Sequence, residues 1–547
     1  MNLINDAWIP VRRADGTSDK IEPWRITDYV GGSRSPIVAV ASPRPDFDGA
    51  LTQFLIGLLQ TTCAPESEAA WWDWRESAPA SDVLKKKFET FTDVFYLNRD
   101  NGALFMQERF TSDDMSKPHP VSYLLIGAAT DSTLKQNIDH FQKRLREHEE
   151  CLCPACAATA LYTLQTFAPS GGGGGEGKFT GIRGGGPLTT LILGQNLWET
   201  VWLNIVFGKT FAPNPPCAKV FPWLNVTAFI TEKSPVKTVH SDDMDTRHVF
   251  WGMPRRIYLD FGANTSETQC LVCGQVTSSI CKQYRDRSGG LTYQHEEKVN
   301  GKKEKKPSWI FPRHPLSPYN ENDSADPKEK RPSAVHPQSG GIGYRLWLGL
   351  VENSVAGKLR RLPATVVEQF RSAIREDARI WAFGFDMDNM KARCWYDAEM
   401  PILTIDKELE LVFKARVEQL VQAASWAVDV LRKRTKDALF GDSDPSGDLG
   451  FVPAHFWAAT EAGFFENVRQ LRDAIKQGVD ERPILGNWLS SLRRAALTVF
   501  DTYSQTGDFD AVNPRRVALA RNDLTKSLNG KKLRDLLGLP QQERSAA

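Results

Sequence analysis

The chain has 547 residues, 41% of them apolar, and sets 68 basic against 67 acidic side chains for a formal net charge of +1. That size and composition call for two or more globular domains with real cores and exclude a disordered chain, while the near-zero charge leaves any nucleic-acid contact to local patches. No stretch approaches 18 uninterrupted apolar residues and the start Met1-Asn2-Leu3-Ile4-Asn5-Asp6-Ala7-Trp8 lacks a basic segment, so neither a membrane span nor a signal peptide is expected and a cytoplasmic location is predicted.

From Asn2 to about Met400, short apolar runs alternate with Gly and Pro. Pro36-Ile37-Val38-Ala39-Val40 and Leu188-Thr189-Thr190-Leu191-Ile192-Leu193 read as strands. Leu51, Phe54, Leu55, Leu58 and Leu59 recur at helical spacing. Residues 1–400 are therefore predicted to form a large, irregular mixed α/β domain. Within it, Asp286 to Pro307 and Asn320 to Gly341 are rich in charge, Pro, Ser and Gly and read as surface loops. After Pro401 the apolar residues fall at helical intervals over four segments. These run through Leu409–Leu431, Phe464–Ile475, Trp488–Tyr503 and Val517–Leu528. An antiparallel four-helix bundle is predicted over 401–547, giving an α+β protein overall.

Nine cysteines in a chain this long do not resemble the disulfide framework of a small secreted domain. Cys153-Pro154-Ala155-Cys156 and Cys270-Leu271-Val272-Cys273-Gly274 are two CxxC pairs, each able to set two thiolates on one face of a tetrahedral ion. Together they would make a closed structural Zn²⁺ site pinning distant parts of the chain, the plainer alternative being two unrelated buried pairs. Cys151 and Cys281 lie close enough to change the ligand set by one.

Ser170-Gly171-Gly172-Gly173-Gly174-Gly175-Glu176-Gly177 matches neither a P-loop nor a dinucleotide fingerprint. It reads either as a linker or as backbone N–H donors free to approach phosphates or base edges, with Lys178 and Arg183 nearby. Lys298, Lys302, Lys303, Lys305 and Lys306 form a basic cluster after the second cysteine pair. Arg515, Arg516, Arg521, Lys526, Lys531, Lys532 and Arg534 face only Asp523 and Asp535 near the C-terminus, a pattern that fits either a phosphate track or a solvated helix face. His314, with Asn320 and Asn322, allows an alternative reading as a zinc-scaffolded HNH-like nuclease, but no second His follows at close range. No GxSxG, HExxH or paired-carboxylate motif stands out, so no enzyme activity is expected.

The opening Leu3 to Val11, with Trp8-Ile9-Pro10-Val11, resembles the start of the CasA family, the large subunit of the type I-E CRISPR Cascade interference complex. The resemblance continues through Phe95-Tyr96-Leu97-Asn98, Phe105-Met106-Gln107, both CxxC pairs, Gly181-Ile182-Arg183-Gly184-Gly185, Phe250-Trp251, His314-Pro315-Leu316-Ser317-Pro318-Tyr319 and Gly384 to Arg393. It implies a non-enzymatic, RNA-guided surveillance subunit in antiviral defence that recognises the protospacer-adjacent motif (PAM) in double-stranded DNA and helps open the duplex for R-loop formation. Its implied partners are the backbone, small and guide-end-capping subunits, the CRISPR RNA, target DNA with its displaced strand, and a recruited helicase-nuclease. By the same resemblance the glycine loop falls on Ser170, Gly171, Gly172 and Gly173, the DNA-contacting lysine on Lys303 or Lys305, and the duplex-splitting wedge on Asp388, Asn389 and Met390. A loop near the guide RNA falls on Asn137, His140 and Phe141.

Overall fold

A computed structural model describes residues 1–32, 35–109, 118–127, 150–169, 181–208, 216–225, 237–238, 245–287, 291–292, 297–299, 302–304, 313–322, 332–338, 340–356, 359–388, 391–440, 449–504 and 513–540. Strands Ile9–Arg13 (β1), Ser18–Ile21 (β2) and Ile37–Val40 (β3) form a sheet in the order β2-β1-β3, antiparallel at both junctions. The apolar spacing around Leu55 becomes helix Pro45–Thr62 (α1), with Pro at its start and Asp46 and Asp48 in its first turn, where a carboxylate complements the helix dipole. Nearly all of α1 is buried. Phe54 sits at the centre of the core, with the rings of Trp8, Phe95, Phe105, Tyr162 and Trp251 edge-on at 5.3 to 5.9 Å. Such aromatic edge contacts add to what burial alone contributes.

The two acids that open α1 differ. Asp46 is held by the Arg44 guanidinium through two 2.9 Å hydrogen bonds. Asp48 accepts the Ser42 N–H at 2.6 Å, and burial pushes its carboxyl up to about 6. Because the folded-state value lies above the ordinary 3.8, the proton that Asp48 takes up stabilises the fold fully below the unfolded value. That stabilisation is lost as pH rises through about 6. Asp48→Asn, which keeps the acceptor for Ser42, is expected to raise stability at pH 8 by on the order of 1–2 kcal/mol, discounted for residual solvent, with the gain shrinking towards pH 4. Melting curves of the two proteins across that range check it; a gain independent of pH would refute the assignment.

Helix Pro154–Phe167 (α2) packs on α1. Strand Thr189–Leu193 (β4) follows, then the long antiparallel pair Arg256–Gln269 (β5) and Val276–Arg287 (β6). Strands Ala378–Asp388 (β7) and Lys391–Ile402 (β8) complete a sheet in the order β8-β7-β4. The two stretches read as loops carry strands. Glu297–Val299 pairs antiparallel with Lys302–Glu304, and Tyr319–Asn322 pairs with both Ser333–Ala334 and Leu359–Leu362. The first of these has one local sequence signal, the turn-forming dipeptide Asn300-Gly301, but its flanks Glu297-Lys298-Val299 and Lys302-Lys303-Glu304 lack the apolar alternation that usually marks a hairpin.

The chain divides into two compact units, Met1–Pro337 with Ser354–Ile374 and Arg379–Asp397, and Gln338–Asn353 with Arg375–Ala378 and Ala398–Ala547. The second contains four long helices, Glu410–Leu439 (α3), Phe451–Gln477 (α4), Arg482–Ser504 (α5) and Pro514–Asn529 (α6). Helix α3 packs against each of the other three, and α5 packs against both α4 and α6. Trp488 is fully buried and donates its indole N–H to Leu420 O at 3.1 Å. This unit also takes in helix Tyr344–Val351. Tyr344 stacks on Phe464 at 4.2 Å and shares a 2.9 Å hydrogen bond with Thr460, and Trp347 donates to Pro401 O.

Candidate metal centre and nucleic-acid interface

Cys153 caps the N-terminus of α2 and Cys156 lies in its first turn, so the CxxC spacing becomes one helical turn with both sulfurs on one side. Cys270 and Cys273 lie in the turn that joins β5 to β6, closed by the Gly274 N–H donating to Cys270 O at 3.0 Å. The four sulfurs all lie within 4.8 Å of one another, and Cys153 Sγ is 3.7 Å from Cys273 Sγ. A tetrahedral zinc with Zn–S bonds of about 2.3 Å needs sulfurs about 3.8 Å apart, so the set fits such an ion. The Cys153 N–H also points at Cys270 Sγ at 3.3 Å, as expected for a site built to hold thiolate charge.

Without a cation, four clustered thiols cannot all ionise. Cys270 is held far below the ordinary thiol range by hydrogen bonds from Cys153 and Cys156, whereas Cys156 is held far above it by its hydrogen bonds with Cys153 and Cys270 and by burial. A divalent ion supplies the charge that lets all four deprotonate. Cys151 and Cys281 do not join the set: their thiols donate to Gln269 O and Gln283 O. Their backbones instead brace it, through Leu271 N–H to Cys151 O and the two-way bridge between Leu152 and Cys281.

Helix α2 leads from this cluster to the glycine run, which begins three residues beyond its last residue, Phe167. The Phe167 ring packs against Phe383, Phe385 and Trp395, at 6.3, 6.4 and 5.5 Å, on the two strands that flank the wedge positions. On the far side of the run, Thr189 at the start of β4 pairs with Phe383 of β7. Gly186, at φ +63°, abuts the Met387 side chain so closely that no Cβ would fit there. The bases of two segments more than two hundred residues apart thus share one packed core. Across the wedge base, Arg393 grips the buried Asp386 with hydrogen bonds of 3.0 and 2.8 Å, which raises the guanidinium above its ordinary value. Asp388, exposed at the end of β7, lies 3.9 Å from Arg393.

Ser170, Gly171, Gly172, Gly173, Lys305, Asn389, Met390, Asn137, His140 and Phe141 lie outside the described residues. Lys303 is in a short strand, opposite Lys298. Arg183, noted with Lys178 as a cation near the glycine run that would favour phosphate contact there, is instead part of the core. Its guanidinium donates to Thr189, Ser317 and Gln53 and lies over the Phe167 ring at 5.7 Å. Burial lowers its pKa to about 10. His314 is also buried, its Nδ1 accepting the Leu316 N–H at 3.2 Å and its ring set edge-on to Phe250. Burial and the neighbouring Arg183 charge hold it neutral, well below its usual range.

Three of the seven C-terminal cations have structural roles. Arg516 donates to the carbonyls of Ala438 and Leu439 at the end of α3, Arg521 pairs with Asp501, and Arg534 donates to Pro540 O. Arg515, Lys526, Lys531 and Lys532 are exposed and carry no ion pair among the described residues. Among those residues no helix is long and apolar enough to cross a membrane.

The family model for the CRISPR-associated protein Cse1 matches residues 2–499. This chain belongs to the Cse1 family. The same mixed fold with a C-terminal helical region is found in solved Cse1 structures. Thermus thermophilus CasA (Cse1) has a TM-score of 0.65 at 16% identity, covering 96% of this chain and 99% of that one. Thermobifida fusca Cse1 has a TM-score of 0.63 at 14% identity, covering 98% of both chains. A chain from a structure described as a CRISPR RNA-guided surveillance complex has a TM-score of 0.62 at 14% identity, covering 97% and 99%. The CasA resemblance carried by the opening motif is thus a Cse1 relationship spanning nearly the whole chain.

Proposed function

We propose that this Cse1 protein is the large subunit of a type I-E Cascade surveillance complex and reads the protospacer-adjacent motif of duplex DNA through its glycine run and the β7–β8 wedge. The observation that carries the reading is the shared core at Phe167, which roots both segments in one body. Backbone donors in a glycine run tolerate several bases in the minor groove, and an apolar side chain such as Met390 suits insertion between base pairs. Guide pairing then reads the remaining sequence, as in other RNA-guided systems. The exposed cations Arg515, Lys526, Lys531 and Lys532, without an ion pair among the described residues, fit a role in holding the displaced strand. Docking onto the backbone, small and guide-end-capping subunits, and recruitment of the helicase-nuclease, complete the proposal.

The cysteine cluster would hold a structural Zn²⁺, which supplies a cross-link and no open coordination position. A nuclease centred on His314 is disfavoured, because that imidazole is buried, neutral and bonded to backbone. The deciding experiment measures duplex binding by guide-loaded complex assembled with and without this chain, at fixed salt, on permissive and scrambled adjacent motifs. The chain is expected to favour the permissive target by about tenfold or more. Equal binding to both targets would refute motif reading.

A further inference from the structure

Four hydrogen bonds link the residues on either side of the glycine run, Pro169 and Ile182, through Gln165 and Arg255. Gln165, buried in α2, accepts the Arg255 N–H on Oε1 at 3.0 Å and donates from Nε2 to Arg255 O at 2.8 Å. The amide orientation is forced, since a backbone N–H can only donate and a carbonyl can only accept. Gln165 also offers its own carbonyl to the Ile182 N–H at 2.9 Å, just beyond the run. Arg255 reaches back with Nη2 to Pro169 O at 3.3 Å, just before it. Both ends of the segment between Pro169 and Ile182 are therefore tied to one pair of residues, 90 positions apart in sequence.

A glycine-rich segment loses more conformational freedom on ordering than any other, so free ends would weaken whatever it binds. Fixing the ends beforehand removes part of that cost from the binding step. We infer that Gln165 and Arg255 are positioning residues for motif reading, a neck clamp that presents the glycine run to duplex DNA. This rests on the proposed function. The clamp touches no base and acts only through the run it holds. Arg255 is the better handle, because its guanidinium contact with Pro169 can be removed while its backbone partnership with Gln165 remains.

The test uses guide-loaded complexes carrying wild-type chain, Arg255→Met, Arg255→Lys or Gly172→Asp. Each is titrated with permissive duplex, scrambled-motif duplex and a single-stranded complementary target, which needs no motif. Arg255→Met is expected to bind permissive duplex about tenfold more weakly, the worth of a hydrogen bond from a charged group, with single-strand binding unchanged. Arg255→Lys, which can still donate to Pro169 O, is expected to recover most of that loss. Unchanged single-strand binding and incorporation into the complex show that the variants fold. If Gly172→Asp loses permissive binding while Arg255→Met matches wild type, the clamp is overturned and motif reading stands. If neither variant differs from wild type, the reading fails and the clamp fails with it.

Discussion

Cys270→Ser is expected to take the purified protein from one bound zinc to none and to lower its melting temperature by about 10 °C, a loss of several kcal/mol. Three arguments set that size. The four sulfurs already lie within 4.8 Å, so little rearrangement precedes metal binding and most of the binding energy goes into holding the fold. A zinc held here would tie the start of α2 to the β5–β6 turn, 114 to 120 residues away in sequence, and cross-links across long separations constrain the unfolded chain most. Finally, losing one ligand leaves three thiols packed together without the charge that justified them. Acid should release the metal for the same reason. Hydrogen bonding with Cys156 favours the Cys153 thiolate, but its contact with Cys270 and burial outweigh that and push the thiol up to about 12, so protons compete well once the ion is challenged. Elemental analysis and melting with and without chelator provide the check. A variant with full zinc content, or one that melts like wild type, would show that the cluster is not a structural metal site.

Gly181→Val is expected to cost about 3 kcal/mol and to abolish motif-dependent duplex binding, the second large effect. A Cβ at Gly181 would meet Thr166 O at 2.5 Å, Gly184 O at 2.9 Å and Thr166 C at 3.1 Å. All three are backbone atoms, so no rotamer change relieves the overlap. The strand of chain leaving the glycine run would have to separate from the end of α2, breaking the Ile182 to Gln165 bond beside it. Thermal melting reports the first consequence and titration of the assembled complex with permissive duplex the second. Normal stability would mean that this close approach is not part of the native fold. Normal stability and normal binding together would remove any role for the neck.

Legibility followed the range of the interactions. The helices of the second unit were readable because a 3.6-residue apolar period is local, and so was the cysteine cluster, because CxxC is one helical turn or one tight turn of chain. Helix Tyr344–Val351 was not assigned to that unit from sequence: Tyr344 and Trp347 announce burial, but nothing local says that Phe464 is the partner. Arg183 misled for a physical reason. Glycine on either side suggests exposure, whereas Phe167, Thr189, Ser317 and Gln53 enclose the guanidinium from four separate parts of the chain. Gln165 was discoverable in part. An amide on a helix whose neighbours are otherwise small, apolar or hydroxyl side chains needs a partner when buried, but Arg255 is visible only once the chain has folded.

Gln165 and Arg255 link Pro169 to Ile182 without using any residue between those two positions, so the stretch of sequence from 170 to 181 is an insert between two fixed points. Doubling the length of such an insert costs only about 0.6 kcal/mol in closure entropy. Its length and spelling are therefore free to drift while the fold beneath is unaffected. If the run reads the adjacent motif as proposed, a lineage under pressure from changing invaders could rewrite which motifs are tolerated without renegotiating the core, and an engineer could exchange the insert between relatives at the same two stitches.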